Sequence, residues 1–186
     1  MRIIRRIVKI LVVIIIVLGL VAGGGFLYIS RKPFPQISGA LRVAGLQNPV
    51  TVIRDKWGVP HIYADNPHDL FLAQGYVQAQ DRLWQMEFWR RIGAGRLSEV
   101  LGKSALSNDL FIRAIGWRRA AEADVKLMGK EELDVLQWYA GGVNAFINTH
   151  RDNLPLEFTL LSLTGAKFTP EPWTPVDTLT WGKVMA

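Results

Sequence analysis

Cysteine is absent from the 186 residues. Disulfides, thiolate nucleophiles and cysteine-based metal sites are therefore excluded. The compartment stays open, because many exported proteins also lack cysteine. Acidic residues are missing from the first part of the chain, where Asp55 is the first to occur. Histidine is scarce, with His61, His68 and His150 the only three. No charge of either sign occurs between residues 10 and 29. No G-x-S-x-G elbow, P-loop or dinucleotide fingerprint is present, so the common sequence signatures of self-contained hydrolase and nucleotide sites do not apply.

What is present starts with an uneven charge distribution. The net charge of +6 suggests nucleic acid or a membrane surface. Six of the 22 basic residues lie in the first 32 positions: Arg2, Arg5, Arg6, Lys9, Arg31 and Lys32. That leaves 16 basic against 16 acidic residues in the remainder, so no basic face points to nucleic acid. Residues 1–9 form a basic segment expected in the cytoplasm. ILVVIIIVLGLVAGGGFLYI, residues 10–29, is long enough to cross a hydrocarbon core, and the flanking charge bias places the rest of the chain outside the cytoplasm, periplasmic or extracellular. A cleaved signal peptide, with Ala22 to Gly25 as small cleavage-site residues, shares the charged start and apolar middle. Continuation of the apolar run through Phe26, Leu27 and Ile29 favours a retained anchor. Residues 30–45 read as a linker, whose SRKPFPQISG stretch is polar and proline-containing.

Residues 46–186 carry the folding signals. Val50–Asp55 and His61–Ala64 are rich in β-branched and aromatic residues, and DKWG between them has turn chemistry. This predicts a hairpin with Pro60 at a strand start or edge. Asn66, Pro67 and Asp69 open a helix over about 67–91, with Gly75 as a kink and Gly93 and Gly95 as stops. A short helix follows over 96–101. Ser107 is expected to cap a helix over 108–128, weakened at Gly116. Another helix covers 130–149, with Leu133, Leu136, Ala140, Val143 and Ile147 in a 3-4-3-4 spacing. The stretch with Pro155, Pro170 and Pro172 reads as loop. Thr174, Pro175 and Asp177 then form a capping signal for a last helix. That helix runs into Ala186 with no stop signal, as expected of the front portion of something longer.

Candidate chemistry is thin. HIYADNPHD brings His61, His68, Asp65 and Asp69 close in sequence, a metal-like composition. A strand and a helix turn need not make them converge, however, and capping explains the same residues. Ser30, Ser38, Ser98, Ser104, Ser107 and Ser162 lack the surroundings of a nucleophile. The most unusual stretch is GYVQAQDRLWQMEFWRR, Gly75 to Arg91. Leu72, Tyr76, Ala79, Leu83 and Met86 define an apolar face, widened by Val77, Trp84 and Phe88, with Gln74, Gln78, Asp81, Arg82 and Gln85 opposite. Gln80, Glu87, Arg90 and Arg91 fall inside the apolar sector, where an unpaired charge costs several kcal/mol. Two readings compete: arginines that snorkel and favour the helix dipole, or a buried Glu87–arginine pair against another segment.

IRDKWGVPHIYADNPHDLFLAQGYVQAQDRLWQMEFWRRIGAGRLSEVLG, LQWYAGGVNAFIN, LPLEF and EPWTPVDTLTWGKVMA together resemble the start of the penicillin acylase family of N-terminal-nucleophile hydrolases. The resemblance covers about residues 46–186 and implies an α+β class. The N-terminal transmembrane helix is followed by a hairpin and a mainly helical segment belonging to a larger αββα fold. Family members mature by autocatalytic cleavage into α and β chains, and the new N-terminal serine of the β chain is both nucleophile and base. The resemblance therefore implies no catalytic residue in this chain and a downstream β chain as partner. The substrate would be a small N-acyl amide. No cofactor is implied for this segment; calcium, which penicillin G acylases bind, would belong to the full-length enzyme. The W-x-P-x-D motif at Trp173–Asp177 puts Met185 where the family has an acyl-pocket methionine; the plain alternative is a core methionine. Gln80, Glu87, Arg90 and Arg91 are expected to be a structural cluster, some of whose partners lie on the β chain. The rival to the enzyme is a non-catalytic, membrane-anchored helical binding module.

Overall fold

The computed structural model describes residues 2–31, 34–163 and 168–186. It divides into two units, Met1–Phe34 and Pro35–Ala186. The first is helix α1, Arg2–Arg31, which contains a stretch, Lys9–Tyr28, long and apolar enough to cross a bilayer.

The second unit is mainly helical with one small sheet. β1 (Thr51–Arg54) and β2 (Pro60–Tyr63) pair antiparallel, Val52 opposite Ile62 and Arg54 opposite Pro60. The Asp55 carboxylate closes the turn by accepting the N–H groups of Trp57 and Val59, at 2.8 and 2.9 Å. Gly58 supplies the positive φ of 80°. Pro60 heads its strand, where the missing N–H costs no ladder bond.

α2 (Pro67–Ala94) is the central element. Asn66 caps it through Oδ1, which accepts the Asp69 N–H at 2.8 Å. The Asp69 carboxylate is fully buried and accepts the Gln47 and Asn48 N–H groups, each at 2.9 Å. It thus ties the incoming chain to the helix start, where negative charge is favoured. Gly95, left-handed at φ 62°, ends the helix. Two sequence expectations change here. The interruption of α2 is at Arg82 (φ −141°, ψ 20°), not Gly75, and Gly93 lies inside the helix. Gly75 has a different task. A methyl group there would overlap the Tyr139 carbonyl oxygen, and one at Gly142 would overlap that of Leu72. The two glycines let α2 and α6 (Lys130–Thr149) cross with backbone against side-chain-free backbone. Around this crossing Tyr76, Ala79, Leu83, Met86, Ala140, Val143, Phe146 and Ile147 form the core.

The middle of the chain is more broken than its periodicity suggests. α3 (Ser98–Leu101) leads through a 3-10 turn, Gly102–Ala105, into α4 (Leu106–Ile115). Ser107 is therefore inside the first turn of α4 and does not cap it. α4 has no side-chain cap; Asp109 in its first turn instead reaches back to the start of α3, its carboxylate accepting the N–H groups of Leu97 and Ser98, at 2.8 and 2.7 Å. Gly116, at φ 84°, separates α4 from α5 (Trp117–Leu127). The expected loop after Pro155 contains a further helix, α7 (Leu156–Leu163). It forms because Phe158 is buried against Trp84 and Phe168, and such tertiary burial overrides the prolines that bracket the segment. α8 (Pro175–Met185) starts as its capping signal predicts: Thr174 N–H and Oγ1 both donate to Asp177 Oδ2, at 2.8 and 2.7 Å.

The crossing gives a sharp contrast. Gly75→Ala or Gly142→Ala is expected to cost about 3 kcal/mol, because the obstacle is backbone and cannot rotate away. Gly141→Ala, exposed with open space around it, should instead stabilise by about 0.5–1 kcal/mol through helix propensity. Thermal unfolding of the three variants in the full-length protein checks this.

Candidate functional site

The polar residues inside the apolar sector of α2 all have partners within the chain. Gln80 is half-buried; its Oε1 accepts from Arg54 Nη2 at 3.2 Å and its Nε2 donates to the Gln36 carbonyl at 3.4 Å. Arg54 also forks onto Asp81, with both contacts at 2.8 Å, and so fastens the hairpin to α2.

Glu87, Arg90 and Arg91 are buried, with 1, 2 and 3% of their surface exposed. Glu87 accepts from both arginines: from Arg90 Nη2 at Oε2, and from Arg91 Nε at Oε1 at 3.0 Å. Arg90 then turns to the segment before α8, donating to the carbonyls of Glu171 at 3.0 Å and Pro172 at 3.1 Å, while Asp177 lies 3.7 Å away. Its guanidinium sits 5.3 Å from the Trp173 ring centre, and that of Arg91 4.4 Å from Phe168. Arg91 also meets Glu99 and Glu171. Arg96 binds the same two carboxylates from outside, Glu171 at 2.5 Å and Glu99 at 2.7 Å. Asp177 is completed by Arg118 at 2.9 Å. Segments distant in sequence supply many of these contacts: Arg54 and Gln36 for Gln80, and residues 171 and 172 for Arg90 and Arg91.

Burial pushes the Glu87 carboxyl above the ordinary glutamate value, against the pull of Arg90 and Arg91. On the rim the balance is reversed. The Arg96 hydrogen bonds hold Glu171 at about 2, with Arg91 and Arg90 adding to the effect, and Glu99 is lowered for the same first reason. Burial alone would raise Asp69, but bonds from Gln47, Asn66, His68 and Asn48 bring it well below the usual range.

The remaining candidates are dispersed. His61 lies on β2, its Nε2 3.6 Å from Asp55. His68 contacts Asp69 at 2.9 Å and the edge of Trp138, and His150 stacks on Phe146. Among the described residues no group of three potential metal-binding side chains comes together. Ser104 and Ser162 donate to carbonyls of their own turns, and no described serine hydroxyl meets a histidine ring. Met185 is 66% exposed in the last turn of α8, one turn beyond Trp181. Trp181 packs on Trp89 of α2 with ring centres 4.5 Å apart. These rings belong to a groove of about 410 Å³ between α2, α6 and α8, lined also by Phe71, Arg82, Tyr139 and Thr178. Sequence reasoning missed this groove, as well as Glu99, Glu171 and Asp177 as network members. The spacing of Arg96 and Glu99, three residues apart, was a local signal for the outer part of the network.

A family profile described as "Penicillin amidase" matches residues 49–186. The chain belongs to the penicillin amidase family. Within this family it is 45% identical over 145 residues to a "Penicillin acylase 2 proenzyme" of Pseudomonas sp. (strain SE83), covering 78% of this chain and 18% of that protein. It is 41% identical over 132 residues to a "Penicillin G acylase" of Escherichia coli, covering 69% and 15%. An "Acyl-homoserine lactone acylase" of Pseudomonas aeruginosa is 37% identical over 143 residues, covering 77% and 16%. A crystallised chain of a thermostable penicillin G acylase from Alcaligenes faecalis superposes with a TM-score of 0.64 at 33% identity, covering 74% of this chain and 72% of that one. The chain thus spans less than a fifth of the length of these curated penicillin amidase relatives.

Two outcomes follow from the network. Glu87→Gln removes the charge that compensates two buried guanidiniums and is expected to destabilise by about 3–5 kcal/mol in thermal unfolding. Glu171 binds its proton less readily in the folded state, about 2 against an ordinary 4.5. Its contribution is complete above about pH 4.5 and is lost as the pH falls toward 2. Glu171→Gln should flatten that acid limb of the unfolding midpoint while leaving the neutral-pH slope unchanged.

Proposed function

We propose that this chain is the N-terminal, α-chain portion of an exported amidohydrolase that cleaves the linear amide of an N-acyl compound. Water and the amide would give a carboxylic acid and an amine. The observation that carries this reading is the unbroken family match over residues 49–186, together with relatives whose names specify acylases of penicillin and of acyl-homoserine lactones. In this reading the nucleophile is a serine exposed by autocatalytic cleavage further along the polypeptide, and its own amino group is the base. Two facts support that division. This chain and the crystallised neighbour cover nearly equal shares of each other, 74% and 72%, whereas only 18% of a curated relative is matched. A calcium site of the penicillin G acylase kind would also lie on the downstream chain.

The described segment would then act as scaffold. The buried ion network fixes the 171–177 segment, and hence α8, against α2. Met185 would contribute to the acyl-binding wall, in keeping with its exposure at the end of α8. α1 would anchor the enzyme with its N-terminus in the cytoplasm, a role supported by the Lys9–Tyr28 stretch and the basic residues before it.

Expression of the complete open reading frame tests the reading. The expected products are two chains and an activity that releases amine from N-acyl substrates. Replacing the serine at the new N-terminus by alanine should abolish both cleavage and activity. A reading frame that stops after Ala186 and yields a folded, inactive product would establish the non-catalytic anchored module instead. For Met185, Met185→Ala should alter KM for bulky acyl groups relative to small ones by about tenfold, with kcat changed less, because it removes contact area and not chemistry.

A further inference from the structure

The groove over α2 has unspent binding capacity. Its floor is one stripe of the helix: Gln74, Gln78, Arg82 and Gln85, all exposed. Among the described residues none of these four side chains has a hydrogen-bond or ion-pair partner. Arg90, which also lines the groove, is already engaged with Glu87, which leaves Arg82 as the one uncompensated charge on the floor. The Trp89 and Trp181 rings, in contact at a tilt of 41°, form an apolar station at one end, and Tyr139 borders the middle.

The spacing selects the ligand. Gln74, Gln78 and Arg82 follow one another at steps of four residues, about 6 Å along a helix. An extended polypeptide presents side chains on one face every two residues, about 6.6–6.8 Å. The two repeats run nearly in step over three positions. From Phe71 to the break at Arg82 the stripe is about 16 Å long, and it continues past the break to Trp89, further than a compact acyl amide needs. Glutamine amides offer both donors and acceptors, which suits backbone N–H and C=O groups.

We propose that this groove seats an extended segment of the same protein's polypeptide downstream of Ala186, with an acidic residue opposite Arg82 and an apolar side chain against Trp89 and Trp181. The choice of occupant rests on the reading given under Proposed function. More than four-fifths of the length of the curated relatives lies outside this chain, and the floor's single free charge calls for a complementary acid. The groove would then be a specific inter-chain contact that adds to the hold of the ion network on α8, with which it shares Arg90.

The test uses the full-length protein. The described chain is cysteine-free, so Gln78→Cys and, as an exposed reference outside the groove, Glu131→Cys introduce labelling sites whose signals are read against the parent protein. Maleimide should react with Gln78→Cys at least about tenfold more slowly, as expected for a position at the closed centre of an interface. A benzoylphenylalanine placed at position 78 should cross-link to a downstream peptide containing Asp or Glu. Arg82→Glu should reduce recovery of the assembled enzyme, and Lys in place of that downstream acid should restore it. Labelling as fast as at the reference, a cross-link to a second copy, or protection that appears only on adding an N-acyl amide would each overturn the proposal. Failure of the functional reading looks different. An uncleaved protein without amidase activity would defeat that reading, while a cross-link from position 78 to residues beyond 186 would still place the segment in the groove.

Discussion

The fold depends on two glycines that allow α2 and α6 to touch. Gly75 faces the Tyr139 carbonyl and Gly142 faces that of Leu72, with no room at either place for a methyl group. This contact sets the interaxial distance, and the distance sets everything packed around it. Val143 and Ala79 are fully buried there. Tyr76, Leu83 and Met86 of α2 pack around the contact. The bulky and charged residues at its C-terminal end, Glu87, Arg90 and Arg91, are turned toward the 171–177 segment. The same helix thus carries a close backbone contact before its break at Arg82 and the ion network after it.

The network is not an arrangement chosen for stability alone. Desolvating three ionised groups costs several kcal/mol each, and attraction repays this only when every lone pair and proton is used. Here nearly all are: Glu87 satisfies two guanidiniums, Arg90 reaches two carbonyls, and Arg91 reaches Glu99 and Glu171. Arg90 Nε remains without a partner among the described residues. What the network gains is register. It fixes an irregular proline-containing segment in one position on α2, and α8 begins directly after it.

Much of this was readable in advance, and the failures have physical reasons. The hairpin, the cap at Asn66, the α6 face and the capping box at Thr174 are local signals, each complete within a few residues. The break at Arg82 was not, because no proline or glycine causes it; it coincides with Gln80 and Asp81 being drawn to Arg54 from another element. Ser107 carried the composition of a cap, but the 3-10 turn runs straight into α4 and leaves Ser107 inside its first turn. α7 was hidden by its prolines, since its burial depends on Trp84, more than 70 residues earlier. The apolar sector of α2 showed that partners for Glu87 and the arginines must exist. Only the tertiary structure shows that they lie at Glu99 and Glu171.

Arg90 has a further consequence. Its contacts with residues 171 and 172 are to carbonyl oxygens and not to side chains. It therefore reads the path of that segment and is indifferent to its chemistry. The Glu171 carboxylate answers to other partners, Arg91 and Arg96, and Pro172 helps to hold the course of the backbone by fixing its own φ. Backbone and side chain of one residue are thus held by different arginines, so the path of the segment and the charge on it are fixed separately.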